Sequence, residues 1–484
     1  MANTLSNSPL SLCLLLLAGV APAAFAGDWR ITPTVNVSER YTDNVTLVGA
    51  GQESSFITDI SPGIEVQRSG ARASVNINYS LHGLIYSHDG DQNAFQNQLA
   101  ARIRTEPISE FFFLDADASV QQANISQLGQ VGSGYNTTAN QAETRSISVT
   151  PSIRKRFGGQ ATANLRWALT YANSDAGAVN DSSGNSLDFS LTSGVAFNRV
   201  PWSLSLRRST ADNNTAADTV QKGVSAYVGY RATPKVQIGV NFGRDDNSGS
   251  TTLNSLNGSY GNLSLQWAPT ARTDLGATLG RRYNGNSYGL NFTHRTARTV
   301  WGLRYSEDIS DTYSQLTGTG AFDIYNCGGL ADIRAAGSPP PAGCTLHAAA
   351  APLPVASLVN DISLNKSWSG TVSYRLGKST FTAGLNSSRR TLLRATTSSD
   401  ETYSISGAWS WLIGPRTTSV LSLSQSSATS GATDGDTWTL GWTLSRRLAA
   451  RTAGNIELRR LDRTGGTTGD YSENSVAATL SHRF

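Results

Sequence analysis

The chain has 484 residues, a formal net charge of +4, and only 15% charged residues, with 46 glycines and a single methionine. This small net charge gives no reason to expect nucleic-acid binding. Beyond the N-terminal apolar run, no apolar stretch approaches the roughly 20 residues of a membrane-spanning helix, which excludes an α-helical membrane protein but not a barrel.

The first predicted element is a secretory signal peptide over residues 1–26. An apolar run, Leu10 to Val20, precedes the small residues Ala24 and Ala26, which fit a cleavage site before Gly27. The segment before the apolar run lacks Lys and Arg, which departs from the usual pattern. We therefore expect the mature protein to comprise residues 27–484.

From Trp29 to the C-terminus, segments with a two-residue apolar period follow one another. The clearest one has apolar residues at Ala161, Ala163, Leu165, Trp167, Leu169 and Tyr171. Such a period places one set of side chains on each face of a strand. The segments predict an all-β protein, a single transmembrane antiparallel outer-membrane β-barrel of about 22 strands, within a range of about 18 to 24.

The links between these segments alternate in length. Tight links such as Ser69-Gly70 and Gly158-Gly159 follow every second segment, whereas the others are longer and polar, as in Thr42 to Ser54, Gln122 to Thr138 and Ser209 to Asp218. Short periplasmic turns and long extracellular loops are typical of outer-membrane barrels. A soluble propeller or sandwich array explains repeated strands but not this alternation.

The longest link is an extracellular insertion at about residues 315–357, and it contains Cys327 and Cys344. Two cysteines in an exported protein predict one local disulfide. Closing this loop would stabilise the protein by around 3 kcal/mol in the chain-entropy model. The stapled loop either lies on the surface or folds into the barrel mouth as a constriction.

The last strand carries a candidate assembly signal on one parity, formed by Val476, Ala478, Leu480, His482 and Phe484. An alternating strand with a terminal Phe resembles the signal of bacterial outer-membrane barrels. It implies outer-membrane lipid and the barrel-assembly machinery as partners, in a Gram-negative bacterium. From this stretch alone, an amphipathic edge strand of a soluble sheet is the alternative.

No local motif predicts catalysis, a cofactor or a metal. The histidines are scattered: His82, His88, His294, His347 and His482. Combinations of Ser, His and Asp carry no weight without geometry. We therefore expect a non-enzymatic protein, with a lumenal hydrolase as a less favoured hypothesis that requires a cluster of acidic or nucleophilic side chains in the interior.

A set of arginines lies on the parity opposite to the apolar residues and is predicted to face the lumen: Arg102, Arg104, Arg154, Arg156, Arg166, Arg207, Arg282, Arg304, Arg375 and Arg459. Clustered like charges in a pore bias its selectivity. One hypothesis is a basic entrance that attracts an anionic polymer or solute. The other is that these arginines pair with lumenal acids and brace the wall.

Three stretches resemble the outer-membrane proteins associated with PEP-CTERM and exosortase systems: Tyr41-Thr42-Asp43-Asn44-Val45, Ile60-Ser61-Pro62-Gly63-Ile64, and Asn365-Lys366-Ser367-Trp368 through Tyr374-Arg375. The resemblance implies a link to exopolysaccharide genes. It implies a porin-like or export channel for surface polysaccharide or another anionic solute, with exopolysaccharide export components as partners. The alternative is a structural or docking barrel whose loops bind envelope polymer or partner proteins.

Overall fold

The computed structural model describes residues 29–88, 90–175, 181–213, 216–248, 257–282, 285–310, 322–326, 331–335, 345–348, 363–393 and 399–484. The predicted signal peptide and both cysteines of the predicted disulfide lie outside the described residues. Among the described residues, no helix combines the length and apolar character needed to cross a membrane.

Long strands form most of the described chain: β1 (Trp29–Thr42), β2 (Ser55–Ser69), β3 (Ala73–Tyr86), β4 (Ala94–Ile108), β5 (Phe112–Asn124), β6 (Gln141–Phe157), β7 (Ala161–Ser174), β8 (Ser182–Ser193), β9 (Trp202–Asn213), β10 (Ala216–Thr233), β11 (Val236–Ser248), β12 (Gly258–Thr270), β13 (Thr273–Arg282), β14 (Gly285–Arg295) and β15 (Thr299–Ser310). The insertion contributes the short strands β16 (Phe322–Asn326), β17 (Ala331–Ala335) and β18 (Thr345–Ala348), which form a separate sheet in the order β17-β16-β18. The chain then continues with β19 (Ser363–Leu376), β20 (Ser379–Leu392), β21 (Ser399–Gly414), β22 (Thr417–Ser430), β23 (Thr433–Arg447), β24 (Thr452–Gly465) and β25 (Tyr471–Arg483).

The long strands form one closed 22-stranded antiparallel sheet. Each pairs with its neighbour along the chain, β15 pairs with β19, and β25 pairs with β1 from Thr34↔Arg483 to Thr42↔Ser475. Closure removes both sheet edges, so every barrel strand has two hydrogen-bonding neighbours. The predicted all-β antiparallel barrel of about 22 strands is confirmed.

The two faces of the sheet differ as the alternation predicts. The outer face presents large apolar side chains, among them Leu263, which is 63% exposed. At one end of the barrel, Tyr374, Phe381, Trp409 and Trp411 form a continuous outward-facing series, with successive ring centroids 6.4, 6.0 and 6.1 Å apart. An apolar band with aromatic residues at its margin is the lipid-facing surface of outer-membrane barrels.

The two ends of the barrel differ in their links. The turn end carries short links such as residues 70–72, 109–111 and 377–378, although residues 194–201 include a 3-10 turn, Val195–Phe197. The loop end carries the links 43–54 and 125–140, but also a two-residue link between β22 and β23. The alternation of link lengths is therefore real but not strict.

The predicted polar loop from Ser209 to Asp218 is wrong. Strand β9 continues to Asn213, β10 begins at Ala216, and their ladder includes Thr219↔Ala211 and Val220↔Thr210. Strands that extend beyond the apolar band have polar side chains on both faces. Polarity there indicates water on both sides of the sheet and does not indicate a loop.

Two adjacent residues at the middle of β22 test the assignment of faces. Leu423 faces outward and is 48% exposed, whereas Ser424 lies on the opposite parity. We expect Leu423→Arg to destabilise the membrane-embedded barrel by about 2–4 kcal/mol, because it places a charge in hydrocarbon. Ser424→Arg, the matched control, should change stability by less than about 1 kcal/mol. Equilibrium urea unfolding in lipid vesicles measures both, and equal effects would contradict the assignment.

Candidate functional site in the barrel lumen

The link between β5 and β6, residues 125–140, is named here the inward loop because it folds into the lumen. The Gln96 side-chain amide donates to the Gly134 carbonyl at 3.0 Å, and the Val131 backbone N–H donates to the Tyr471 hydroxyl at 2.7 Å. Leu128 packs against Ala428 of β22. In the closed sheet, strands β23–β25 and β1–β4 lie between β22 and β5, the strand from which the inward loop leaves. The inward loop thus crosses part of the lumen at the loop end.

A buried carboxylate, Glu473 of β25, anchors the inward loop. Its side chain is 1% exposed. It accepts hydrogen bonds of 2.8 Å each from Asn136 of the inward loop, Thr42 of β1 and the Arg459 guanidinium of β24. A buried charge is tolerated when it is both paired and hydrogen-bonded, and Glu473 meets both conditions.

An apolar cluster under the β1–β2 link supports the same loop. Leu47 is fully buried against Leu461 and Tyr471, and its carbonyl accepts a 3.2 Å hydrogen bond from the Gln130 amide. Its φ of 53° is unusual for a residue with a branched side chain. Such a backbone costs about 1–3 kcal/mol, which burial of a leucine side chain, worth about 1.5–3 kcal/mol, can offset.

Tyr135 fixes the tip of the inward loop against the wall. Its hydroxyl donates to Asp59 Oδ2 at 3.3 Å, and the Arg40 guanidinium lies 4.7 Å from its ring centroid. Burial, together with the nearby Asp59 carboxylate, raises the pKa of Tyr135 to about 12. The hydroxyl therefore stays protonated, and able to donate, at every physiological pH.

The stretch Tyr41–Val45, one of those that carry the family resemblance, fastens the β1–β2 link to the closing strand. Asp43 Oδ1 accepts from the Asn474 backbone N–H and Asp43 Oδ2 from the Asn474 side-chain amide, both at 2.7 Å. The Asn44 amide donates to the Ser472 carbonyl and to the Val48 carbonyl, each at 2.8 Å. These contacts hold the closure at the loop end, where the inward loop is attached.

The strand register places all ten predicted lumenal arginines on the face that carries the inward-loop contacts: Arg102, Arg104, Arg154, Arg156, Arg166, Arg207, Arg282, Arg304, Arg375 and Arg459. The structure does not bring them into one cluster. They lie at different heights on the wall, and several sit beside acids or aromatic rings.

Half of this set has a carboxylate within ion-pair distance. The pairs are Arg102–Asp117 at 2.6 Å, Arg104–Asp115 at 4.0 Å, Arg156–Glu110 at 3.6 Å, Arg207–Asp188 at 3.5 Å and Arg459–Glu473 at 2.8 Å. The guanidinium of Arg154 lies 4.7 Å from the Phe113 ring centroid, and that of Arg282 lies 4.9 Å from the Tyr260 centroid. All but the Arg459 pair are well exposed, so each adds about 1 kcal/mol or less to stability.

A recess lined by both polar and apolar side chains lies on the wall of β10–β15, away from the contacts of the inward loop. Its volume is about 530 Å³. Gln237, Gln266, Asn291 and Arg304 belong to one row of residues directly opposite each other on successive strands, with a glycine at the β13 position of the row. Planar polar side chains thus line up along this part of the wall.

One aromatic ring lies flat beside that row. A Cβ on Gly239 would clash with the Tyr227 ring, so the absence of side chains at Gly239 and Gly229 lets the ring rest on the backbone. The Gln237 amide donates to the Tyr227 hydroxyl at 2.9 Å, and the Arg231 guanidinium donates to Gln237 Oε1 at 3.3 Å. These bonds fix the ring with one face toward the lumen.

The candidate assembly signal lies on the outer face of the closing strand. Val476, Leu480 and Phe484 are 47%, 50% and 62% exposed. His482 Nδ1 lies 2.9 Å from the Thr452 hydroxyl, and its ring makes an edge contact with Phe484. Recognition by assembly machinery stays a prediction.

Three other histidines have separate surroundings, and the side chain of His347 lies outside the described part of the chain. His294 Nδ1 lies 2.8 Å from the Thr273 hydroxyl, His88 lines a small hollow beside Thr137, and His82 faces the lumen. Within the described ranges, no group of three or more His, Cys, Asp or Glu side chains could hold a metal ion.

The alternation of link lengths predicts an ordinary extracellular loop between β5 and β6, and the burial of the inward loop was not foreseen. Residues 125–141 contain no charged side chain, but neither does the shorter link at residues 249–257. Leu128, Val131 and Tyr135 within this uncharged stretch are the residues that pack against the wall. The lack of charge is therefore compatible with burial of the loop but does not by itself predict it.

No protein-family model matches the sequence, and a comparison with curated proteins finds no significant match. The structure is similar to that of a ferric enterobactin receptor variant from Pseudomonas aeruginosa in complex with enterobactin, with 9% identity, a TM-score of 0.50, and coverage of 95% of this chain and 82% of that chain. The FrpB iron transporter from Neisseria meningitidis gives 9% identity, a TM-score of 0.49, and coverage of 96% and 82%. The similarity to the enterobactin receptor identifies an outer-membrane barrel fold.

If Glu473 anchors the inward loop, its replacement should lower the stability of the barrel and loosen the loop. We expect Glu473→Gln to destabilise the barrel by about 3 kcal/mol, because it leaves the largely buried Arg459 charge without its partner. Amide hydrogen exchange in residues 125–140 should become faster, as measured by mass spectrometry. Glu401→Gln is the matched control, because Glu401 and its ion-pair partner Arg389 are both exposed. Loss of this pair should change the stability of the barrel by less than about 1 kcal/mol. Unchanged exchange of the loop in Glu473→Gln would refute the anchor.

Proposed function

We propose that the chain is a water-filled channel in the outer membrane of a Gram-negative bacterium, with the turn end in the periplasm. The observation that carries this proposal is a 22-stranded barrel whose lumen is lined by polar side chains and crossed on one side by the inward loop. Side chains alone fill only small barrels, so a barrel of this width holds water beside any loop that enters it. The recess on β10–β15 is part of the wall that such water would contact.

The charge at the turn end favours an anionic cargo. Within five residues of this end, the lumen-facing cations are Arg30, Arg104, Arg154, Arg156, Arg231, Arg295, Arg375, Arg447 and Arg483. The lumen-facing acids in the same zone are Glu65, Glu106, Asp115 and Asp274. An excess of positive charge at a channel mouth raises the local concentration of anions. Although pairing neutralises some of these arginines, the excess remains.

Surface polysaccharide is the cargo that we favour. The recess offers amides, hydroxyls and a flat tyrosine ring, which are groups that can bind a hydroxylated chain through hydrogen bonds and ring contact. The resemblance to proteins of PEP-CTERM and exosortase systems supports the same cargo and suggests exopolysaccharide export components as partners. The alternative is a docking barrel that binds envelope polymer or partner proteins without transport. In that case the lumen should conduct no ions.

The channel proposal predicts anion selectivity. In planar bilayers, we expect the purified protein to conduct and to prefer chloride over potassium. Arg154→Gln, Arg375→Gln and Arg447→Gln together should reduce that preference, because they remove charge from the turn-end mouth. The matched control is Arg208→Gln, Arg244→Gln and Arg446→Gln, which removes the same charge from outward-facing positions and should leave selectivity unchanged. No conductance in folded protein would favour the docking alternative.

The cargo requires a cellular test. A strain that lacks this chain should lose extracellular polysaccharide and accumulate undelivered polymer in the periplasm. The wild-type protein should restore extracellular polysaccharide in this strain. The variant with Arg154→Gln, Arg375→Gln and Arg447→Gln should not restore it, which would show that export depends on positive charge at the turn-end mouth. Normal extracellular polysaccharide in the deletion strain would contradict this cargo.

A further inference from the structure

The lumenal wall of β2 and β3 holds a serine, a histidine and an aspartate in one hydrogen-bonded series. Ser80 Oγ lies 3.1 Å from His82 Nε2, and His82 Nδ1 lies 2.9 Å from Asp59 Oδ2. The side chain of Asp59 is 4% exposed and that of His82 is 15% exposed. With the proton on Nδ1, the imidazole donates to the carboxylate, and Nε2 is free to accept the serine proton. This is the geometry in which a histidine activates a serine nucleophile.

The sheet itself creates this arrangement. Ser80 and His82 are two residues apart on β3, so both face the lumen, and the register of β2 against β3 brings Asp59 beside the histidine. Tyr135 of the inward loop also donates to Asp59 Oδ2, which restricts the carboxylate further. The series is therefore fixed by two strands and by the loop that lies over them.

We propose that Ser80 and His82 form a lumenal esterase site, with Asp59 as the positioning residue. Ser80 Oγ attacks the carbonyl carbon of an ester while His82 Nε2 takes the hydroxyl proton. The carbon–oxygen bond to the alcohol breaks, and the imidazolium gives its proton to the leaving oxygen. Water, deprotonated by His82, then attacks the acyl carbon on Ser80. The bond from that carbon to Ser80 Oγ breaks, the imidazolium returns its proton to Oγ, and a carboxylic acid is released. No cofactor is needed.

A donor for the developing oxyanion comes from the neighbouring strand. Gln98 of β4 lies directly opposite Ser80 in register and faces the lumen. Side chains opposite each other on adjacent strands have Cβ atoms about 4.5–5.5 Å apart, so the Gln98 amide can reach an oxygen bound at Ser80. Gln98 extends the site on the side away from Asp59.

The position of the site indicates the class of substrate. It faces water inside the barrel, and the inward loop covers it on the loop-end side through Tyr135 and through the bond from Gln96 to Gly134. The nearby apolar side chains Ile57 and Leu84 are buried against one another, so they offer no open surface to a bulky acyl chain. The geometry points to a short acyl ester of a water-soluble, hydroxylated compound. The site needs access to the lumen but does not depend on conduction.

The test uses the full chain purified in detergent. A fluorophosphonate probe should label Ser80, and p-nitrophenyl acetate should be hydrolysed. We expect Ser80→Ala to abolish labelling, and Ser80→Ala and His82→Gln to lower kcat/KM by about 100-fold or more. Ser119→Ala is the matched control. Ser119 also faces the lumen, but its hydroxyl lies within hydrogen-bond distance of the Ser146 hydroxyl, at 2.7 Å, and not of a histidine among the described residues. Heat-modifiable gel migration confirms that each variant is a folded barrel.

Asp59 needs a readout that a merely structural role would not move. Asp59→Asn should lower kcat far more than it changes KM and should alter the pH profile, because it favours the wrong tautomer of His82. Asp59→Glu should restore part of the activity. Absence of Ser80 labelling in folded wild-type protein, or full turnover in Ser80→Ala, would overturn the proposal. Conductance without turnover would overturn it while leaving the channel proposal intact.

Discussion

The carboxylate of Glu473 is the interaction on which the loop end of this barrel depends. It lies on the last strand, and its three donors come from the first strand, from β24 and from the inward loop. One buried charge therefore links the closure of the sheet to the filling of the lumen. Charge-assisted hydrogen bonds are stronger than neutral ones, and burial makes the loss of any partner costly. Closure of the sheet and the position of the inward loop in the lumen therefore depend on the same carboxylate.

The lumen has two unlike sides as a result. On the side of β1–β4 and β22–β25, the inward loop packs against Ala428, hydrogen-bonds to Tyr471 and covers the buried Glu473 carboxylate. On the side of β10–β15, the Tyr227 ring rests on Gly229 and Gly239, and planar polar side chains line the wall. The covered side gives the barrel rigidity, and the lined side gives it a surface for solutes. The Ser80–His82–Asp59 series lies at the border of the covered side.

Much of the fold could be predicted from the sequence because each barrel strand separates two media. Alternation such as that from Ala161 to Tyr171 gave both the strand and its outward face. The approach failed where the strands rise beyond the lipid band, as at Ser209–Asp218, because both faces are polar there. The inward loop was also missed, because the lack of charge in residues 125–141 permits burial but does not by itself predict it.

The site was less predictable than the fold. The parity of the ten arginines followed from alternation, but their partners depend on the register between strands, which the sequence leaves open by steps of two. The Ser80–His82–Asp59 series depends on that register too, because Asp59 belongs to a different strand. The alternation within one strand predicts which face of the sheet a side chain lies on. Contacts between side chains of different strands depend on the register, which only the structure gives.

The most direct test of the account is whether the inward loop reaches β22 through the lumen. In a background with Cys327→Ser and Cys344→Ser, a short thiol-specific crosslinker should join Leu128→Cys to Ala428→Cys within one folded molecule and alter its migration on a gel. The pair Leu128→Cys and Ser422→Cys, in which the second residue lies farther toward the turn end of the same strand, should not be joined. Absence of the first crosslink, or equal crosslinking of both pairs, would contradict a loop held inside a closed barrel.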